Sequence, residues 1–400
     1  MSPAPRTPAV APAKKSKSKA GRAKPKAAAA RGPAFAYFDG DAEAKARGLF
    51  QLVAEDGSFD EADVAGIDKE QALALFRGML SIRVIDARMI ALQRQGRIGF
   101  YGEALGQEAS VVGAAAALSP RDWLVPALRE AGAGLYRGMS LGTYLAQILG
   151  NSNDVCKGRQ MPCHPCDRDT NYVVMSSVVS TQIPHAVGIA MAMKIKESDQ
   201  VCMGFMGDGG TSEGDFHTAL TFAGVFSVPA VLVCQNNQWA ISTPGSDQCA
   251  ADTIALKGLG YGIESLRADG NDVFAVYELV KHAVEKARRG DGPTFIELLT
   301  YRVSAHSTSD DPSRYRDESI TEVWKNKRDP LSRQRAFLAA RGWLSADEAE
   351  AMAAEIEEHV REVVAEQELA GPPEIDTLIE DVFAEPTWLL REQLAQFKGD

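Results

Sequence analysis

No stretch of this chain approaches the ~18 consecutive apolar residues that a membrane-spanning helix needs, and no secretory apolar core follows its first residues. A membrane-embedded protein is therefore not expected. Acidic residues are absent from residues 1–38, which hold nine Lys or Arg. The rest of the chain then carries 34 basic against 54 acidic residues, a net of −20, and an acidic body speaks against a nucleic-acid-binding face. Cysteine is sparse: six in 400 residues, with no secretory leader, imply a reducing compartment and no disulfide framework. Three of the six cluster as Cys156, Cys163 and Cys166, with His164 between the last two. The second ligand pair of a structural zinc site is missing, and no thioredoxin-like βαβ pattern surrounds them, so the segment reads as a loop with free thiols.

The opening residues, MSPAPRTPAVAPAKKSKSKAGRAKPKAAAARGP, are rich in Ala, Pro and Lys and show no apolar periodicity. Such a segment cannot repay the entropy of ordering, and residues 1–35 are expected to form a disordered tail. Acid-free basic leaders have a similar composition, but lysine predominates over arginine here and no amphipathic helix is visible. The expected location is a bacterial cytoplasm, with the mitochondrial matrix as the other reading.

What is present is a 45% hydrophobic chain with a strand–helix rhythm. Residues 69–95 place Leu73, Leu75, Phe76, Met79, Leu80 and Ile82 at helical spacings, and Gly96 ends the pattern. Small-residue helices are expected over 104–118 and over 140–150, where Ser140 serves as N-cap. Residues 173–196 turn from a β-branched run into an apolar helix. VCMGFM (201–206) and AVLVCQ (230–235) read as fully buried parallel strands with a crossover helix over 212–226. Further units follow at 261–270, 272–289 and 293–302, which makes the fold class α/β, a doubly wound, mainly parallel sheet with helices on both faces. The expected layout is a tail at 1–35, an α/β domain over 36–330 and a charged, solvated helical region over 331–400.

The chemistry concentrates in GFMGDGGTSEGDF (204–216) and VPAVLVCQNNQW (228–239). A P-loop is excluded because Asp215 stands where a lysine should reach phosphate. A dinucleotide fingerprint is excluded because Ser212 takes the third glycine position and no Asp or Glu occurs from 216 to 246. A metal-bridged diphosphate remains. Asp208, on the turn after one strand, offers a carboxylate oxygen, and Asn237, on the turn after the next, an amide oxygen. Magnesium takes about six hard oxygens, some from water and phosphate.

GDG followed about thirty residues later by NN matches the thiamine diphosphate signature. With CKGRQMPCH (156–164), SSVVSTQIPHAVG (176–188), QNNQWAISTP (235–244) and TYRVSAHSTSDDPSRYR (300–316), the chain from about 70 to 395 resembles the α subunits of the thiamine-dependent, decarboxylating component of 2-oxo acid dehydrogenase complexes. The resemblance implies the thiamine diphosphate-binding fold. It assigns Mg²⁺ to Asp208, Asn237 and the backbone carbonyl of Trp239, and cofactor contacts to Arg129, Ser177, Val179, Gly207, Gly209, Gly210, Ile241 and His306 beside Asp208 and Asn237. A K⁺ site falls on Ser176, Val178, Thr181 and Gln182, although the same residues also read as a helix N-terminus capped by its own hydroxyls.

His306, in a polar loop after a strand, is the expected catalytic residue, and the resemblance implies that it helps to hold and reductively acylate an incoming lipoyl group. His185, His217 and His282 lie on helical patterns and read as packed or solvated. Gln235 and Leu128 depart from the family, which often carries arginine and tyrosine there. The resemblance further implies a β subunit that supplies a catalytic glutamate, an α₂β₂ heterotetramer, and a lipoyl-bearing acyltransferase core as partner. The 2-oxo acid expected is branched-chain (3-methyl-2-oxobutanoate), with pyruvate and acetoin dehydrogenase α subunits as alternatives.

Overall fold

The computed structural model describes residues 32–399; the expected tail, residues 1–31 of it, lies outside the described residues. The strands are β1 (Trp123–Val125), β2 (Cys202–Gly207), β3 (Ala230–Asn236), β4 (Trp239–Ala240), β5 (Thr243–Pro244), β6 (Glu264–Asp269) and β7 (Thr294–Leu299). Five form one parallel sheet in the order β1-β2-β3-β7-β6, while β4 and β5 form a small antiparallel hairpin. Alternate residues of the long strands go to opposite faces. Met203, Phe205, Val231, Val233, Ile296 and Leu298 join the larger core with the helices Glu108–Ala116 and Val273–Arg288. Cys202, Met206, Leu232, Cys234 and Phe295 face the helices Gln182–Ile195 and Gly214–Phe226. Both faces are covered, which is why these strands read as unbroken apolar runs.

The order of strands explains the two layers. From β1 through β2 to β3 the chain steps one way across the sheet. It then crosses to the far edge at β6 and returns through β7 to lie beside β3. Right-handed crossovers put helices from opposite stepping directions on opposite faces, and the expected doubly wound, mainly parallel sheet is what forms. The register pairs Met206 with Cys234 and Gly207 with Gln235, so the turns beginning at Asp208 and Asn237 leave adjacent strands at the same level. Gly204 allows the close packing beneath them: a Cβ there would stand 2.7 Å from that of Ala186.

Expected helices appear at Lys69–Arg94, Leu141–Leu149 with the Ser140 side chain accepting from Thr143 N–H, Gly214–Phe226 and Val273–Arg288. The β-branched run at 173–179 differs. Val173 N–H donates to the Leu124 carbonyl at 2.9 Å, but the pairing goes no further and Val178 and Val179 are exposed. Ser180 at φ +71 turns the chain into the following helix, so the run becomes a loop. β1 was not expected, since three residues carry no period to read. The charged helix Ala346–Leu369, expected as a solvated face, also buries Ile356, Val360 and Val364 in the larger core. Among the described residues, no helix is long and apolar enough to cross a membrane.

Candidate active site

A cavity of about 510 Å³ opens at the carboxyl ends of β2 and β3. Its wall includes Arg129, Ser176, Ser177, Val179, Gln182, Gly207, Asp208, Gly209, Gly210, Asn237, Trp239, Ile241 and His306. Thus the sequence-derived cofactor residues converge from five separate segments, and of the residues assigned to K⁺ only Val178 and Thr181 stay off the wall.

Asp208 starts the 3₁₀ turn Asp208–Ser212 and is 2% exposed. Its Oδ2 accepts from Gln248 Nε2 at 3.2 Å, whereas buried Oδ1 has no hydrogen-bond partner among the described residues. Burial raises its acid from 3.8 to about 6, against the pull of the Arg302 charge. A buried, half-satisfied carboxylate beside an open cavity is the chemistry of a cation ligand. Asn237 is oriented by two bonds: its Nδ2 donates to Gln107 Oε1 at 3.0 Å, and its Oδ1 accepts from Trp239 N–H at 3.2 Å. That assignment turns the amide oxygen, the harder ligand atom, away from Gln107. Gly209 has no room for a side chain, because a Cβ would meet that of Ala240 at 2.5 Å; at Gly207 nothing stands within 4 Å. Backbone alone therefore borders the cavity there. The residues present fit a diphosphate bridged through a hard divalent cation.

Arg129 is 7% exposed and is held by carbonyls: one nitrogen donates to Glu103 O and the other to His306 O at 2.8 Å. Burial, reinforced by the Arg302 charge, lowers Arg129 to about 10, so it remains a cation at neutral pH. His306 is half-buried. Burial, then the charges of Arg129 and Arg302, lower it from 6.5 to about 4, leaving a neutral imidazole at pH 7. Its loop is fixed from both sides. Asp310 Oδ2 accepts from His306 N–H at 2.7 Å and from the Tyr315 hydroxyl at 2.5 Å, while Arg316 donates to the carbonyls of Arg302 and Ser304 at 2.7 and 3.0 Å.

Four contributors were missed from the sequence. Gln107 and Gln248 orient Asn237 and Asp208. Glu130, buried and raised to about 7 by burial, accepts from Gln235 Nε2 and from the backbone N–H groups of Ala127 and Arg129. His164 lies on the cavity wall bonded to Ser177. Of these, Glu130 carried a signal in its place beside Arg129, and His164 stood inside the cysteine cluster, which read as a loop with free thiols. At the K⁺ residues, Ser176 Oγ accepts from Val178 N–H at 3.2 Å and Gln182 Nε2 donates to Phe205 O at 3.0 Å. Gln182 Oε1 has no partner among the described residues, and Thr181, at the N-cap, makes no side-chain capping bond.

Cys156 and Cys166 lie with sulfurs 3.5 Å apart, and buried Cys163 stands in the same loop at φ +66. Among the described residues, no three His, Cys, Asp or Glu side chains are grouped to hold a metal ion. His185 and His217 are exposed on their helices, while His282 is half-buried against Phe38 at 4.7 Å.

A parallel α/β sheet with an unsatisfied acid and an oriented amide above adjacent strand ends defines a cofactor-dependent enzyme subunit of the diphosphate-binding kind. The chain belongs to the family described as Dehydrogenase E1 component, whose model matches residues 76–376. That family is thiamine diphosphate-dependent and forms the first component of 2-oxo acid dehydrogenase complexes, working with a β subunit. The chain is 42% identical over 327 residues to 2-oxoisovalerate dehydrogenase subunit alpha 2, mitochondrial, of Arabidopsis thaliana, covering 82% of this chain and 69% of that one. It is 41% identical over 327 residues to the human mitochondrial subunit alpha, covering 82% and 74%. The Dictyostelium discoideum mitochondrial subunit alpha is 40% identical over 326 residues, covering 81% and 74%. These relatives overturn the expectation of a bacterial cytoplasm, because each is a mitochondrial subunit. The basic composition of residues 1–35 could not separate a retained tail from a leader.

Proposed function

We propose that the chain is the α subunit of the component that oxidatively decarboxylates branched-chain 2-oxo acids, 3-methyl-2-oxobutanoate among them, and passes the acyl group to lipoamide. The reading is supported by the relatives, all 2-oxoisovalerate dehydrogenase α subunits, and it takes their mitochondrial location for this chain. The observation that carries it is one cavity gathering Asp208, Asn237, Arg129 and His306.

Thiamine diphosphate, when bound, would supply a nucleophilic carbanion for the substrate's keto carbon and an electron sink for the pair left by CO₂. The chain's own residues bind and orient. Asp208 and Asn237, with the Trp239 carbonyl, would hold Mg²⁺, and burial would make the carboxylate a stronger ligand for it than in water. Arg129 supplies a fixed cation to the phosphates and fastens the His306 carbonyl in the same gesture. Val179 and Ile241 give the cavity its apolar shelf, Ser177 a hydroxyl, and Gly207, Gly209 and Gly210 close backbone approach. His306, neutral at working pH, meets the lipoyl group as a hydrogen-bonding partner without charge repulsion from Arg129. Gln182, Ser176, Thr181 and the Val178 carbonyl would hold K⁺. The β subunit completes the site in an α₂β₂ heterotetramer, and the lipoyl-bearing acyltransferase core receives the product.

The test uses the complex purified with its β subunit, measuring thiamine- and Mg²⁺-dependent reduction of an artificial acceptor. A higher kcat/KM for 3-methyl-2-oxobutanoate than for pyruvate or acetoin is the expected result. A preference for pyruvate would overturn the substrate while leaving the chemistry.

A further inference from the structure

His164 is 4% exposed and lies on the wall of the cofactor cavity, in a loop that is built rather than slack. Asp154 accepts from Cys156 N–H at 2.9 Å and Gly158 N–H at 2.7 Å, Gln147 Nε2 donates to Met161 O at 2.7 Å, and His164 N–H donates to the same carbonyl at 3.2 Å. Two side-chain contacts fix the imidazole. Nδ1 lies 3.0 Å from the Pro162 carbonyl oxygen, and Nε2 meets Ser177 Oγ. A carbonyl oxygen only accepts, so a ring proton sits on Nδ1, and in that tautomer Nε2 presents a lone pair. The Ser177 hydroxyl donates into that lone pair. The other acceptor near Ser177 Oγ is Met161 Sδ at 3.9 Å, a much weaker one.

With its hydrogen committed to His164, Ser177 offers the cavity lone pairs alone. That sign selects what can sit against it. A 2-oxo acid carries a carboxylate and a keto oxygen, and a diphosphate carries only oxygens, so each would be repelled or left unpaired by an acceptor. The aminopyrimidine ring of thiamine diphosphate has an exocyclic amino group, an N–H donor. We propose that His164 is a positioning residue that fixes Ser177 as the hydrogen-bond acceptor for that amino group. The inference rests on the thiamine diphosphate reading of the cavity. It makes the pair a sensor of ring identity.

The test titrates the αβ complex calorimetrically with two ligands in Mg²⁺: thiamine diphosphate, and oxythiamine diphosphate, in which a carbonyl oxygen replaces the amino group. Ser177→Ala and His164→Ala are expected to weaken thiamine diphosphate by about 5–10-fold and to leave oxythiamine diphosphate unchanged or tighter. The double variant should be no weaker than either single one, and His164→Asn, whose side-chain oxygen can accept, should recover part of the loss. Ser177 is exposed, so its alanine variant keeps the fold if His164→Ala does not. Equal losses for both ligands, additive losses, or no loss would overturn the proposal. Failure of the unsubstituted complex to bind either ligand would overturn the thiamine reading and the proposal together, a result distinct from binding that the variants leave unaltered.

Discussion

The guanidinium of Arg129 donates to the backbone carbonyl of His306 at 2.8 Å and to that of Glu103 with its other nitrogen. One side chain thereby ties the loop before the helix Ala131–Tyr136 to the His306 loop, 301–316. Lysine keeps the charge but cannot span both carbonyls. Arg129→Lys should lose one charge-assisted bond, about 1.5–3 kcal/mol, and lower kcat by about 10–100-fold in the αβ complex. Cofactor affinity, read by calorimetry, should fall less, because the cation remains. An unchanged kcat would mean that the His306 loop is held without this link.

Asp208 sets stability against function. Its native acid, at about 6, binds its proton more tightly than the unfolded one at 3.8. Between those values the native state holds more protons, so stability falls as pH rises from about 4 to 6 and the loss stays at pH 7. Asp208→Asn, which removes this cost in the cofactor-free complex, should raise stability at pH 7 by roughly 2–3 kcal/mol, with little change at pH 4. The same variant should lose Mg²⁺-dependent cofactor binding. Thermal unfolding at the two pH values, with and without Mg²⁺ and thiamine diphosphate, reads both effects.

His306 acts with the opposite sign. Its native pKa near 4 lies below the ordinary 6.5, so the unfolded chain takes up the proton first, and this group's contribution to stability is lost as pH falls from 6.5 towards 4. His306→Gln should flatten that limb of the melting profile. Acyl transfer to lipoamide should drop by about 10²–10⁴-fold, the range for removing a positioned imidazole. Thiamine diphosphate affinity measured beside it should change far less. An acidic limb in kcat/KM centred near 6.5 that vanishes in the variant would contradict the depressed value.

Asp208 and Asn237 were legible because each follows an unbroken apolar run, while Asp215 and Ser212 rule out the competing phosphate motifs. Their supports were not. Gln107 lies 130 residues from Asn237, immediately before a small-residue helix, and an uncharged glutamine there has no local signature. His164 was visible inside the cysteine cluster, but its partner is 13 residues on, across a loop whose turns at Lys157, Gly158 and Cys163 no period announces. The buried strands and long amphipathic helices were legible for the reason that makes them stable, burial on a fixed period. β1 was not, since three residues have no period.

Gln235 offers the last prediction, from a pairing that is only half made. Its Nε2 donates to Glu130, yet its Oε1 has no partner among the described residues, and Glu130 is buried with its acid raised from 4.5 to about 7. A neutral amide cannot offset a buried carboxylate as a cation can. By the same linkage as Asp208, Glu130 costs stability as pH rises from 4.5 to 7, by an amount of roughly 3 kcal/mol. Gln235→Arg would place a guanidinium between this carboxylate and the cavity, whose wall Gln235 already forms, so the longer side chain has open volume to enter. The cost should shrink, which predicts a Tm gain in the cofactor-free complex that is larger at pH 8 than at pH 5. The added cation also faces the region assigned to the diphosphate, so thiamine diphosphate affinity should rise several-fold and become more salt-dependent. A Tm gain equal at both pH values would show that packing, and not the Glu130 charge, is what the arginine relieves.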